Sequence, residues 1–307
     1  MTRGRAGGVL AALLLIGWVT TVSASCDSAG GRSATRSSGP ASGRDSGATA
    51  GDKGKGGTQL DFSQPGQRES WPARQPAPTV WQVVPTAQPV QATDPRIGAL
   101  FEPDANGPHF CTASIVPSPG RDLVMTAAHC INDGNGPGST ALVFIPGYSD
   151  GIGPYGVWTA RELVVDPRWA SGADPDYDVG FVVLNPNDGQ DIQDVAGANQ
   201  VDFNSGYSHL VRVTGYPEKD DAPVSCENWT TRYSATQLRF ACAGFYAGTS
   251  GSPWVTVGRG AATPAGRIVG VIGGYQRGGD TNSVSYSVYL GHAMQALYQR
   301  AEAASTG

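Results

Sequence analysis

An all-β fold, barrel or sandwich, finished by one terminal helix is the prediction for this 307-residue chain. Three features make it. The apolar runs are short, rich in Val and Ile, and cut by Gly, Pro and Asp, the pattern of many short strands joined by turns. Glycine accounts for 43 residues, a supply of turn formers that long helices would not tolerate. Helical spacing of apolar residues occurs only near the end, from about Leu290 to Ala303.

In order, the strand-like runs are Ala113-Ser114-Ile115-Val116, Leu123-Val124-Met125-Thr126, Ala141-Leu142-Val143-Phe144-Ile145 and Arg161-Glu162-Leu163-Val164-Val165. Asp178 then opens a continuous apolar run, Val179-Gly180-Phe181-Val182-Val183-Leu184, which reads as a buried strand. The second half continues with Leu210-Val211-Arg212-Val213, Leu238-Arg239-Phe240-Ala241 and Arg267-Ile268-Val269-Gly270-Val271-Ile272. The folded domain is expected over 94–307.

Upstream of it the composition changes. Arg3 and Arg5 precede an apolar stretch from Val9 to Val22, too short for a comfortable membrane span and typical of an export signal. Val22-Ser23-Ala24 suits cleavage after Ala24, giving a leader of 1–24. Five cysteines are an odd number for an exported chain, and Cys26, just past the apolar stretch, is the one set apart. Residues 26–58 are Gly, Ser, Ala and charged residues with too little apolar surface to offset ordering, and are expected to be disordered. Residues 59–93 are Pro- and Gln-rich, a linker or propeptide, with Trp71 and Trp81 as isolated apolar residues that would contact the domain.

Charge narrows the partners. Through residue 92 there are nine Lys/Arg against five Asp/Glu, and after it twelve against twenty-one. A strongly acidic domain without a basic stripe argues against nucleic acid. His109, His209 and His292 show no metal-ligand spacing with acids or cysteines, so no metal is expected. Asn228-Trp229-Thr230 matches a glycosylation sequon and is read as an ordinary loop.

Three segments carry chemistry. Gly248-Thr249-Ser250-Gly251-Ser252-Pro253-Trp254 sets a serine between glycines in a tight turn, and Thr126-Ala127-Ala128-His129-Cys130 ends a run of small residues on a histidine. A serine hydroxyl needs a base to take its proton as it attacks, and imidazole suits that task near neutrality. The imidazolium then needs a carboxylate to orient and stabilise it, and Asp178 is placed to supply one. The candidate catalytic set is Ser250 as nucleophile, His129 as base and then acid, and Asp178 as orienter. Ser252 is the rival nucleophile.

The chain order His129, Asp178, Ser250 and the segments Phe110–Ser114, Thr126–Cys130, Asp178–Leu184 and Gly248–Trp254 resemble bacterial trypsin-like serine peptidases of the chymotrypsin fold, related to the glutamyl endopeptidase group. The resemblance spans about residues 96–300. It implies two six-stranded antiparallel β-barrels with a C-terminal helix and the triad in the cleft between them. It implies an oxyanion hole from the amides of Gly248 and Ser250, a disulfide between Cys111 and Cys130 beside the histidine, and Cys226 with Cys242 as the remaining pair. It implies an endopeptidase acting on protein or peptide substrates through an acyl-enzyme, with no cofactor, as a monomer. An inactive protease scaffold used for binding and an esterase are the alternatives.

Three departures follow from the same resemblance. Arg96-Ile97-Gly98 looks like the activation junction of trypsins, but Thr249 stands where an Asp would receive the freed amine. Gly244-Phe245-Tyr246-Ala247 and Ile272 lack the acid or histidine that would select a charged P1 residue, so a neutral P1 is expected, with Asp280 the route to a basic one. Gly273 replaces a Ser that often supports the catalytic Asp. Cys26 resembles the acylated residue of bacterial lipoproteins, with Ser23 in place of the usual apolar residue. The expected location is extracellular, secreted or held at the outer face of a bacterial membrane through a lipidated Cys26.

Overall fold

In a computed structural model of the chain the described residues are 83–92, 94–103, 107–258 and 266–307. The expected leader, Cys26, the 26–58 tail and the 59–82 part of the linker, with Trp71 and Trp81, lie outside them.

A short strand, β1 (Gln88–Pro89), joins the second of two sheets. The next six form a closed antiparallel barrel: β2 (Ile97–Phe101), β3 (Cys111–Val116), β4 (Leu123–Thr126), β5 (Val143–Pro146), β6 (Trp158–Val165) and β7 (Gly180–Leu184), in spatial order β2-β3-β4-β7-β6-β5. A short helix, α1 (Pro167–Gly172), lies between β6 and β7. Asp166 caps it by accepting from the Arg168 amide at 3.0 Å, and Pro167 opens it with φ already set. Helix α2 (Ile192–Ala196) and strand β8 (Gln200–Val201) lead to the second half.

There β9 (Leu210–Gly215), β10 (Val224–Arg232), β11 (Gln237–Ala241), β12 (Pro253–Thr256), β13 (Arg267–Val271) and β14 (Val284–Val288) run in order β14-β11-β10-β9-β12-β13, with β8 beside β13 and β1 on β10. Side-chain and turn bonds draw the two ends of that path together. Val271 N donates to Ser287 Oγ at 2.9 Å, and Gly273 N to Tyr286 O at 3.0 Å. Six main strands therefore wrap into the second barrel, with β1 and β8 as additions. Helix α3 (His292–Ala304) ends the chain.

Alternation along the strands explains the cores. Val124, Val182 and Leu184 point into the first barrel with Phe144 and Trp158. Their neighbours Leu123, Met125, Phe181 and Val183 point the other way, onto Ile268, Val271 and Val288 of the second half and Met294, Leu297 and Ala301 of α3. Strands buried on both faces read as unbroken apolar runs, as these did in the sequence. Each fully buried side chain of this size contributes roughly 1.5–3 kcal/mol, so the layer between the barrels is a core in its own right.

The segment 85–90 packs on the second barrel: Ala87 N donates to Ala243 O and Ala243 N to Pro85 O, both at 2.7 Å. The sequon is no loop, because Asn228 lies in β10 and its Nδ2 donates to Ala241 O at 2.7 Å. Arg96–Ile97 is built into the barrel wall. The Arg96 carbonyl accepts from Ile115 N at 2.8 Å, Ile97 starts β2, and Ile97 is buried. A peptide bond held in a ladder is a poor protease target.

Candidate active site

His129 belongs to a single 3-10 turn, Ala128–Cys130, directly after β4. Its turn is fastened to β3 by the disulfide Cys111–Cys130, and a second disulfide, Cys226–Cys242, joins β10 to the end of β11. Asp178 follows another 3-10 turn, Pro175–Tyr177, just ahead of β7. Because β4 and β7 are antiparallel neighbours, the end of one meets the start of the other. That register brings the two residues together.

Asp178 is fully buried and accepts three hydrogen bonds. His129 Nδ1 donates to Oδ2 at 2.8 Å, His129 N to Oδ1 at 2.9 Å, and Gly274 N to Oδ2 at 2.8 Å. A buried carboxylate requires such donors. With its Nδ1 proton on Asp178, a neutral imidazole leaves its lone pair on Nε2, the atom a general base needs. Support from Gly274 N replaces the serine absent at 273. A Cβ at Gly273 would lie 2.9 Å from Asp178 O and 3.2 Å from Ala127 Cβ, so a side chain there would require the Asp178 main chain to shift. Trp169 of α1 backs the imidazole, with ring centroids 6.5 Å apart.

Ser250 lies on the loop between β11 and β12 and is half-buried. Its carbonyl accepts from Thr112 N at 2.8 Å, the residue next to Cys111, so the nucleophile loop rests on the barrel that carries His129. Ser252, the rival, is fully buried, and its hydroxyl donates to Thr249 O at 2.6 Å. That hydroxyl is neither exposed nor free.

Peptide directions around Ser250 are set one by one. The Ala247 carbonyl accepts from Glu218 N at 2.7 Å, and the Thr249 carbonyl from Ser252 N at 3.1 Å. In a trans peptide the N–H points opposite the C=O, so the amides of Gly248 and Ser250 face away from those anchors. The amides of Thr249 and Gly251 donate to Tyr246 O and Ile272 O at 3.1 and 2.7 Å. Those of Gly248 and Ser250 have no acceptor among the described residues. Two unspent amides flanking a serine can receive a developing oxyanion. Thr249 is buried, and its hydroxyl donates to Tyr246 O at 2.6 Å, with no charge to bind an amine.

Beside Ser250 a pocket of about 270 Å³ is lined by Phe245, Tyr246, Ala247, Ile272 and Ser285, with Arg277 and Asp280 exposed on the 275–282 segment. Asp280 accepts from Gln276 Nε2 at 2.8 Å. A larger cleft, about 830 Å³, contains none of Ser250, His129 or Asp178. Cys111, Cys130 and His129 form the one close set of metal-ligand atoms among the described residues, but both sulfurs are spent in the disulfide.

Two positions that the sequence left without a role also hold the site. Thr112 contacts the nucleophile loop through main chain and side chain. Gln237, buried in β11, donates to Asp176 Oδ1 at 2.8 Å and Pro175 O at 3.0 Å and accepts from Tyr275 N at 3.2 Å, steadying the turn that delivers Asp178. A glutamine in a strand gives no local sign of such a role.

Against protein-family models, residues 85–296 match the family described as trypsin. Among solved structures, the protease Anisep from Arthrobacter nicotinovorans is 31% identical, with 70% of this chain and 97% of that one covered and a TM-score of 0.60. A thermostable serine protease, AL20, from an extremophilic microorganism is also 31% identical, with 69% and 99% covered and a TM-score of 0.60. A Glu endopeptidase in complex with MPD shares the fold at 16% identity, with 72% and 100% covered and a TM-score of 0.55. Comparison with curated protein sequences finds no match.

Proposed function

The chain belongs to the trypsin family and is a serine peptidase, and from that premise we propose that it is an exported endopeptidase using Ser250, His129 and Asp178. The supporting observation is the dyad and the two unspent amides on adjoining segments: His129 Nδ1 on Asp178 at 2.8 Å, with the Gly248 and Ser250 amides beside the candidate nucleophile.

In this reading Ser250 Oγ attacks the scissile carbonyl carbon while its proton passes to His129 Nε2. The carbonyl oxygen, now negative, accepts from the Gly248 and Ser250 amides. Preorganised donors of this kind contribute about 3–4 kcal/mol each to the transition state. His129 returns the proton to the leaving amine as the C–N bond breaks, leaving an acyl-enzyme on Ser250. Water then attacks the acyl carbon as His129 takes its proton; the C–O bond to Ser250 breaks, His129 returns that proton to Ser250 Oγ, and the acid product departs. Asp178 keeps its charge throughout and stabilises the imidazolium.

Substrates are protein or peptide chains with a neutral P1 residue. The pocket beside Ser250 has apolar or neutral walls at Phe245, Ile272 and Ser285, and the two charged residues that also line it, Arg277 and Asp280, are exposed, with Asp280 already accepting from Gln276 Nε2. A charged side chain buried against the apolar walls would lose its hydration for a partner screened by solvent. Export rests on the leader 1–24 and suits the two disulfides. Anchoring through Cys26 and a monomeric state belong to the same proposal. The test is hydrolysis of a peptide p-nitroanilide library by wild type, Ser250→Ala and His129→Ala. Wild type cleaves after neutral residues, and both variants fall by about 10⁵–10⁶ in kcat. Equal activity in Ser250→Ala refutes the assignment.

A further inference from the structure

We propose that Thr112 is a positioning residue that holds the oxyanion hole open, acting through the peptide groups of Gly248 and Ser250. The inference rests on the reading of Ser250 as nucleophile.

Thr112 is fully buried in β3, and each of its polar atoms is committed. Its hydroxyl accepts from Tyr216 N at 3.0 Å and donates to Gly248 O at 3.1 Å. Its amide donates to Ser250 O at 2.8 Å, and its carbonyl accepts from Thr126 Oγ1 at 2.8 Å. A hydroxyl has one proton to give. Since Tyr216 N–H already points at Oγ1, that proton is left for Gly248 O. The bond has a defined direction, from the second barrel's β9 end, through a first-barrel side chain, to the loop.

Gly248 is where such a clamp matters. It sits at φ +92°, has no Cβ to restrict it, and joins the Ala247–Gly248 and Gly248–Thr249 peptides. The Ala247–Gly248 peptide has its own anchor in Glu218 N, so release of the Gly248 carbonyl would free the Gly248–Thr249 peptide and the ψ of Gly248, letting the segment that carries Ser250 and its amide shift relative to the Gly248 N–H. In the fold's trypsin members, by the resemblance above, an amine–Asp ion pair orders this loop. Here Thr249 offers no charge, and Arg96–Ile97 is bound into β2. Thr112 fixes the carbonyls of both residues whose amides form the hole, from a position tied by the adjacent Cys111 to His129's turn. One buried threonine thereby sets nucleophile, oxyanion donors and base in one frame.

The experiment compares wild type, Thr112→Val and Thr112→Ser on the neutral-P1 peptide p-nitroanilide that wild type cleaves fastest. Inhibition by the corresponding peptidyl boronate, whose tetrahedral adduct mimics the oxyanion, is measured beside thermal unfolding. Val keeps the shape and removes the hydroxyl. The expected result is a kcat about 10–100-fold lower with KM within twofold, and a boronate Ki raised in proportion. Thr112→Ser, which restores the hydroxyl, recovers most of both. The proposal is overturned if Thr112→Val keeps its kcat, if Ser loses as much as Val, or if kcat falls while the boronate Ki stays put. Should Thr112→Val fail to fold, Thr112→Ala is compared with Thr112→Ser by the same criteria. An inactive wild type would instead sink the function proposed above, so the two failures are distinguishable.

Discussion

In the first barrel the candidate residues follow from strand ends. His129 comes directly after β4 and Asp178 just before β7, and the antiparallel pairing of those strands sets them side by side. In the second barrel, Ser250 rides a loop whose peptide directions are imposed from outside it: by Glu218 N on Ala247, by Thr112 on Gly248 and Ser250, and by Ile272 O on Gly251. The proposed base and its carboxylate are thus a product of sheet register, whereas the proposed nucleophile and oxyanion donors depend on second-barrel anchors together with Thr112 across the seam. The difference teaches where the enzyme is vulnerable. Changes within the first barrel should disturb proton transfer, and changes at the seam should disturb charge stabilisation.

After loss of Ser250 or His129 itself, the largest expected effect breaks the dyad alone. Asp178→Asn keeps the size of the group and the acceptor for His129 N, but favours the wrong imidazole tautomer. A loss of about 10⁴ in kcat is expected, with unchanged far-ultraviolet dichroism. A loss below tenfold would show that the tautomer is held by something other than Asp178.

The two disulfides sharpen the contrast. They span similar separations, 19 residues for Cys111–Cys130 and 16 for Cys226–Cys242, so chain entropy assigns each about 3 kcal/mol. Paired Cys→Ala substitution at either should therefore lower stability comparably in urea titrations. Only loss of Cys111–Cys130 should also depress kcat at temperatures where the variant stays folded, because that bond joins the histidine's turn to the strand supporting the nucleophile loop. Equal activity losses would erase the distinction.

The smallest effect concerns the carboxyl that caps α1. Burial alone would raise the Asp166 carboxyl, but the Arg168 side chain and amide, with Arg300 nearby, hold it below the ordinary carboxylate range. A lowered folded pKa means stabilisation that is present above the unfolded pKa and is lost as pH falls through the folded one. Asp166→Asn keeps the cap and loses the charge. It should cost about 1–2 kcal/mol at pH 7, a gap to wild type that narrows below about pH 4. A gap independent of pH would assign the effect to packing.

Much of this contrast was legible in the sequence, and unevenly so. The first-barrel strands β4 and β7 were read because burial on both faces leaves them almost wholly apolar, and β3 and β6 from the apolar ends Ile115-Val116 and Leu163-Val164-Val165. Strands β10 and β14, Val-Ser-Cys-Glu-Asn-Trp-Thr-Thr-Arg and Val-Ser-Tyr-Ser-Val, went unread because polar residues fill half their positions, including the buried Ser285 and Ser287. At the site, Ser250, His129 and Asp178 stand out by residue type and order. Thr112, Gln237 and Gly274 do not, since they act through partners far away in the chain that sequence neighbours cannot announce. Cys111–Cys130 and Cys226–Cys242 pair as the resemblance implied. The Arg96–Ile97 dipeptide resembles an activation junction in sequence alone, and its place at the start of β2 could not be read from the two residues.

The most direct test of the central claim is intact-mass analysis of the full chain after fluorophosphonate treatment, with peptide mapping of the adduct and of the Arg96–Ile97 bond. The account predicts one adduct, on Ser250, in protein whose Arg96–Ile97 bond is whole, and none in His129→Ala. An adduct that forms only after that bond is cut, or that maps to Ser252, would contradict it.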